Sequence, residues 1–184
     1  MDALQQRVSE ILGDRVFGVG SEGLPEITGE LLRRHGLRLA VAESCTGGLV
    51  AKLITDVAGA SEVFLGGAVT YHDHAKQQWL GVPAALLERH GAVSAEVAEA
   101  MARGARQRFG ADVTLALTGI AGPSGGTPDK PVGTVHYAVA TAAGVESRLL
   151  SYPGTRAQIR LRSAFAGLAL VREVLRAATE TPSP

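Results

Sequence analysis

The sequence predicts an α/β protein: a three-layer α/β/α fold on a mixed, mainly parallel sheet. Three observations carry this. Short apolar runs alternate with amphipathic segments along most of the 184 residues, the pattern of a parallel core. The runs Val132 to Thr141 and Val145 to Tyr152 meet at Ala143-Gly144, a hairpin that makes the sheet mixed. Ala, Gly, Val and Leu dominate, with only four Phe and one Trp, so strands and helices can pack closely.

The elements follow in order. Asp2 can cap a short helix that stops near Gly13, and Arg15 to Val19 reads as a strand. Leu24-Pro25 opens a second helix, with proline in its first turn, and Gly36 ends it. Leu37 to Ala42 is a strand, Thr46 to Val57 a helix ending before Gly59, and Phe64 to Tyr71 a loosely alternating strand. Asp73 can cap a helix through Trp79 and Leu80, with Gly81 past its end. Pro83 to Arg89 is a short helix closed by His90-Gly91. Ser94 caps a long helix to Phe109, again followed by glycine. Val113 to Leu117 is an apolar strand, and Gly119 to Pro131 a Gly/Pro-rich loop. After the hairpin, Thr155 can cap a last helix to about Ala178, and the tail from Glu180 to Pro184 is expected to fray. Gly20-Ser21-Glu22-Gly23 reads as a linker. Residues 1–23 are thus an expected appendage to one domain, 24–184.

Eighteen basic residues balance eighteen acidic ones, so the whole molecule offers a polyanion no general attraction and only a local patch could. A single cysteine allows no internal disulfide and fits a reducing compartment. No signal-peptide pattern opens the chain, and its apolar runs are too short to span a bilayer. The expectation is a cytoplasmic protein with no nucleic-acid or membrane partner.

The run Ala42-Glu43-Ser44-Cys45-Thr46-Gly47-Gly48 lies between a strand and a helix. A hydroxyl there faces the free N–H groups and positive dipole end of the helix, which suit an oxyanion or a phosphate. Ser44 reads either as a nucleophile or as a helix cap, with Thr46 the better placed cap. Cys45 has no histidine in its local frame to activate it and reads as a packing residue.

A serine nucleophile needs a base. Position 47 is Gly, so a Ser-x-x-Lys arrangement is absent, and Lys52 lies on the polar side of its helix. Lys76 follows the strand ending at Tyr71. If that strand neighbours the Ser44 strand, both C-terminal ends open on the sheet edge where ligands bind. A lysine partly buried there would have a depressed pKa and could act as a base. His72 and His74 flank Asp73, but no third metal ligand is evident.

The loop from Thr118 and Gly119 through Gly122, Gly125 and Gly126 could form a nest of N–H groups for an anion. It contains a literal Gly-x-Ser-x-Gly, but no helix can follow across Thr127-Pro128-Asp129-Lys130-Pro131, so it is not a nucleophile elbow. No Walker sequence is present. Gly18 to Gly23 matches a dinucleotide fingerprint, but Leu24-Pro25 interrupts the helix it would need. Arg156 and Arg160 lie one turn apart at the start of the last helix, as a phosphate site or as a solvated basic face; Arg162 fits the solvated face better.

Seven segments occur in one order: Ala42 to Gly48, Thr70-Tyr71, Lys76, His90 to Ser94, Thr118 to Pro123, Gly125-Gly126 and Lys130 to Val135. Together they closely resemble the C-terminal domain of the CinA (competence/damage-inducible) family, over about Leu24 to Ala178. Stand-alone members of that family are nicotinamide-nucleotide amidohydrolases. Ile11 to Gly20 resembles the junction that precedes this domain in longer members. Their N-terminal nucleotide-hydrolysing domain is not expected here, so that activity is not carried over.

The resemblance implies hydrolysis of the carboxamide of nicotinamide mononucleotide to nicotinic acid mononucleotide and ammonia, with no metal or redox cofactor. It implies a serine nucleophile, Ser44, assisted by Lys76 and Tyr71, in agreement with the search for a base. Tyr71 would position the pair or relay a proton. N–H groups at Thr46, Gly47 and Gly48 would hold the oxyanion. The 118–126 loop with Arg156 and Arg160 would meet the phosphate. The family usually self-associates, so a homodimer is expected. Two rival readings stand beside this: a non-catalytic nucleotide-sensing domain, and an amidase for another small amide.

Overall fold

The computed structural model describes residues 3–12 and 22–180. The expected Asp2 cap, the strand at Arg15 to Val19, Gly20-Ser21 of the linker and the tail beyond Glu180 lie outside them. The first helix, α1, spans Ala3–Leu12. Next comes α2, Leu24–Arg34, with Pro25 in its first turn, where no intrahelical N–H is needed.

The sheet has five strands: β1 Leu39–Glu43, β2 Phe64–Val69, β3 Val113–Gly119, β4 Thr134–Ala140 and β5 Val145–Ser151, in the order β2-β1-β3-β4-β5. β1 pairs in parallel with β2 and β3, while β3–β4 and β4–β5 are antiparallel. The sheet is mixed, as expected. Four of the five strands run in one direction, although the pairings divide evenly between the two kinds.

Helices cover both faces, giving the expected three layers. β1 and β3 are central and buried on both sides, which is why they read as unbroken apolar runs. Leu39 and Val41 pack with Leu32 of α2, with Val50 and Ile54 of α3 (Leu49–Thr55) and with Leu168 and Val171 of α7 (Arg156–Glu180). On the other face, Ala42 packs with Leu80 of α4 (Asp73–Leu80), Leu87 of α5 (Ala84–His90) and Met101 of α6 (Ala95–Phe109). Each fully buried leucine contributes roughly 1.5–3 kcal/mol.

Several ends differ from expectation. The helix expected from Thr46 begins at Leu49, because residues 45–48 form a turn. His72, not Asp73, caps α4: its Nδ1 accepts from the N–H of His74. Ser94 caps α6 as expected, accepting from the Val97 N–H. Thr155 caps α7 reciprocally: its Oγ1 accepts from the Gln158 N–H, and Gln158 Oε1 accepts from the Thr155 N–H.

Candidate active site

Side chains alternate along a strand, so Glu43 and Ser44 leave the end of β1 on opposite faces. Ser44 turns to the α4/α6 side. β2 runs parallel beside β1, and the Thr70 N–H donates to the Glu43 carbonyl at 2.8 Å, so both strands end on one edge. Lys76, in the second turn of α4, reaches back over that edge.

The Lys76 side chain is 1% exposed. Its Nζ lies 3.3 Å from Ser44 Oγ. Three further oxygens surround it: the carbonyls of Thr70 at 3.1 Å and Tyr71 at 3.3 Å, and Asp73 Oδ1 at 3.4 Å. Burial lowers the Lys76 pKa from its ordinary value, and the charge and hydrogen bond of Asp73 oppose that shift. A neutral amine has two N–H donors, which the two carbonyls can accept, and one lone pair, which can accept the Ser44 hydroxyl proton. The arrangement can therefore deprotonate a serine.

The turn after Ser44 is tied down on its other side. The Glu43 carboxylate, 1% exposed, accepts from Gly48 N at 3.0 Å, Val50 N at 3.1 Å and Ala51 N at 2.8 Å. The Gly47 N–H donates to the Ser44 carbonyl at 3.1 Å. This corrects the expectation that Gly47 and Gly48 present free N–H groups to an oxyanion: both are engaged. Among the described residues the N–H groups of Cys45 and Thr46 have no backbone oxygen acceptor and face the Cys45 sulfur, a weak acceptor that an oxyanion can displace. Nor does Thr46 cap α3; its Oγ1 is buried and unpartnered.

Tyr71 differs most from expectation. The residue is 56% exposed and its phenol oxygen accepts from Arg156 Nη2 at 2.7 Å, so its backbone carbonyl, not its ring, meets Lys76. Arg156 Nη1 donates to the Gly122 carbonyl at 2.8 Å, joining the β2–α4 loop, the 120–133 loop and the start of α7. Arg160 Nη2 donates to the Thr46 carbonyl at 2.6 Å.

Residues 21–175 match the family model for the CinA C-terminal domain. The chain belongs to this family. A CinA-like protein of Anaeromyxobacter dehalogenans (strain 2CP-C) is 53% identical over 173 residues, covering 94% of this chain and 42% of that protein. One from Myxococcus xanthus is 50% identical, covering 98% and 43%. The chain thus spans about two fifths of the length of these curated relatives. Two solved structures match over nearly their whole length and over about 85% of this chain. The competence/damage inducible protein CihA of Agrobacterium tumefaciens aligns with a TM-score of 0.77 and 40% identity, over 86% of this chain and 99% of that one. A CinA superfamily protein of Klebsiella pneumoniae gives 0.80 and 32%, over 85% and 99%.

In this CinA domain, other residues singled out by sequence have structural roles. Thr118 is fully buried and donates to the Ala92 carbonyl at 2.7 Å, so it anchors the segment before α6 rather than facing a ligand. Gly119 lies against β4: a Cβ there would stand 2.7 Å from the Thr134 oxygen. Gly122 and Gly126 pack on Val132, and Gly125 has positive φ in an exposed stretch. Cys45 packs with Ala121, Val135 and Ile159, and burial pushes its thiol up to about 12. Lys52 pairs with Asp56 in solvent, and Arg162 stacks on Tyr152 at 4.3 Å, as the polar helix side and the solvated face predict. Among the described residues no group of three or more His, Cys, Asp or Glu could hold a metal, and no helix is long and apolar enough to cross a membrane.

Sequence reasoning missed Glu43, Thr70 and Asp73 as site residues. Glu43 carried a usable signal: it continues the Leu39, Val41 face of a buried strand, where a charged residue needs a reason. A cavity of about 450 Å³ beside Leu37, Val113, Val139 and Leu175 lies at the opposite end of the sheet.

Proposed function

We propose that the protein hydrolyses the carboxamide of nicotinamide mononucleotide, giving nicotinic acid mononucleotide and ammonia, with Ser44 as nucleophile and Lys76 as base. One observation carries this reading: a lysine with lowered pKa, buried 3.3 Å from a serine hydroxyl at the ligand-binding edge of an α/β sheet. A nucleotide-sensing domain without turnover would keep the arginines and glycines. It would have no use for an amine buried against a serine.

Lys76 takes the Ser44 hydroxyl proton as the oxygen attacks the carboxamide carbon. The oxyanion is held by the N–H groups of Cys45 and Thr46, each such donor contributing about 3 kcal/mol. As the C–N bond breaks, the Lys76 ammonium returns the proton to the leaving nitrogen, which departs as ammonia. Water then attacks the ester, giving up a proton to Lys76. Ser44 recovers its hydroxyl proton as the carboxylic acid leaves. Tyr71 acts through its carbonyl on Lys76, while its phenol and Arg156 form the rim toward the phosphate, with Arg160 behind. Thr46 Oγ1, Thr70 Oγ1 and Arg160 Nε are buried without partners; Thr70 also gives its carbonyl to Lys76, and Arg160 holds the Thr46 carbonyl in the turn after Ser44. Orphaned polar groups cost about 1–3 kcal/mol each, which a polar substrate can offset.

The proposal includes a cytoplasmic homodimer that takes a small nucleotide and needs no metal. Its test is ammonia release from nicotinamide mononucleotide by purified protein, with Ser44→Ala and a chelator as controls. Turnover that survives the chelator and is lost in Ser44→Ala supports the reading. Nucleotide binding without ammonia release would support a sensor instead.

A further inference from the structure

We propose that Glu43 is a positioning residue for Ser44. Its carboxylate fastens the 44–48 turn to the first turn of α3 and so sets the direction in which the serine hydroxyl meets Lys76. The inference rests in part on the hydrolytic reading above.

A buried carboxylate is costly unless its oxygens are satisfied. Both Glu43 oxygens are satisfied by main-chain donors: Oε2 takes the N–H groups of Gly48 and Val50, and Oε1 that of Ala51. An ordinary N-cap side chain satisfies one such N–H from the residue at the helix start. Here the helix start is Gly48, with no side chain to offer, and the Thr46 hydroxyl is not used. The cap comes instead from the residue just before the nucleophile, across the whole turn.

The geometry gives Glu43 two grips. Through its side chain it holds the far end of the turn that begins at Ser44. Through its carbonyl it accepts from Thr70 N–H at 2.8 Å, and the Thr70 carbonyl in turn accepts from Lys76 Nζ at 3.1 Å. Nucleophile and base are thus both referenced to residue 43, although its side chain points to the opposite face of the sheet and touches no reacting atom. Because the carboxylate takes the Gly48, Val50 and Ala51 donors, an oxyanion is left with those of Cys45 and Thr46, next to the hydroxyl. Aspartate, one methylene shorter, cannot span to all three donors.

The test compares wild type with Glu43→Gln and Glu43→Asp in three measurements. These are hydrogen exchange of peptides covering residues 44–51, the rate at which a fluorophosphonate modifies Ser44 (read by intact and peptide mass), and kcat and KM on nicotinamide mononucleotide. Both variants should keep the exchange pattern of β3 and α6 and lose protection at 44–51. Ser44 modification and kcat should fall about tenfold or more, the scale of a sub-ångström misplacement, while KM moves less than about threefold. Gln, which keeps one acceptor oxygen in place, should lose less than Asp. Lost protection at 44–51 with modification and kcat within about twofold of wild type would make Glu43 a cap and nothing more, overturning the proposal. Loss of activity only in step with the folded fraction, or failure of both variants to fold, would overturn it too. A wild type that is modified at Ser44 but releases no ammonia would defeat the amidase reading, and the modification rates would still decide the role of Glu43. A wild type inert to both reagents would overturn both.

Discussion

Gly104→Ala should cripple turnover from a position in α6 that meets the end of α4 and touches neither Ser44 nor Lys76. Glycine in a helix interior costs about 1 kcal/mol relative to alanine, so its place in α6 needs a reason. The reason is α4: a Cβ on residue 104 would lie 1.9 Å from the Leu80 carbonyl oxygen and 2.7 Å from its carbon. Ordinary contact requires about 1.5 Å more. α6 cannot retreat, because Val97, Ala98, Met101, Ala102 and Ala105 are packed into the sheet layer. The end of α4 must move instead, and Lys76 lies one turn before Leu80 on that helix. The 3.3 Å contact between Lys76 Nζ and Ser44 Oγ has no such slack. A misplacement of about 1 Å costs on the order of 100-fold in rate. The gain in helix propensity, about 1 kcal/mol, offsets part of an overpacking cost of about 1–3 kcal/mol, so Tm falls by only a few degrees. The assay is ammonia release from nicotinamide mononucleotide beside a thermal melt. A variant with wild-type kcat and an unchanged Tm would refute the claim that α4 is held in register with Ser44 by this close approach.

Four further outcomes follow. Turnover should rise with pH along a limb set by loss of the Lys76 proton, below the ordinary lysine range; Asp73→Asn removes the charge that opposes the burial effect and should move that limb to lower pH, and an unmoved limb would dissociate Asp73 from the base. Between the depressed Lys76 value and about 10.5 the folded state binds fewer protons than the unfolded one, so this group's contribution to stability grows with pH there and is lost as pH falls; denaturant melts should show that slope flattened in Lys76→Met. Thr118→Val leaves the Ala92 carbonyl unpaired, costing about 1–3 kcal/mol and lowering Tm by about 2–4 °C for each, with kcat per folded molecule unchanged; a drop in kcat alone would return Thr118 to the ligand site. Cys45, its thiol pushed up to about 12, should resist a disulfide reagent at pH 8 until the protein unfolds, and rapid modification of the native protein would contradict its burial.

Much of this site was legible because its signals are local or follow from strand direction. The apolar run at 39–43, the turn glycines and the helix carrying Lys76 place a serine and a lysine at one edge once β1 and β2 are neighbours, and no other base candidate has a buried position. What was not legible depends on side-chain reach. Whether the Tyr71 phenol turns to Lys76 or to Arg156 is decided by a guanidinium 85 residues away in sequence. Thr118 looked like part of a nest because its neighbours are glycines, yet its hydroxyl is taken by a carbonyl 26 residues earlier. In sequence Glu43 is one letter of a motif; only its three-way contact with Gly48 and the start of α3 shows why a carboxylate stands there.

The most direct measurement is the mass of the protein quenched in acid during turnover of nicotinamide mononucleotide. The dyad mechanism requires the acyl group of nicotinic acid mononucleotide as an ester on Ser44, present in wild type and absent in Ser44→Ala, with ammonia released as it forms. Steady ammonia release with no adduct on Ser44, undiminished in Ser44→Ala, would contradict it.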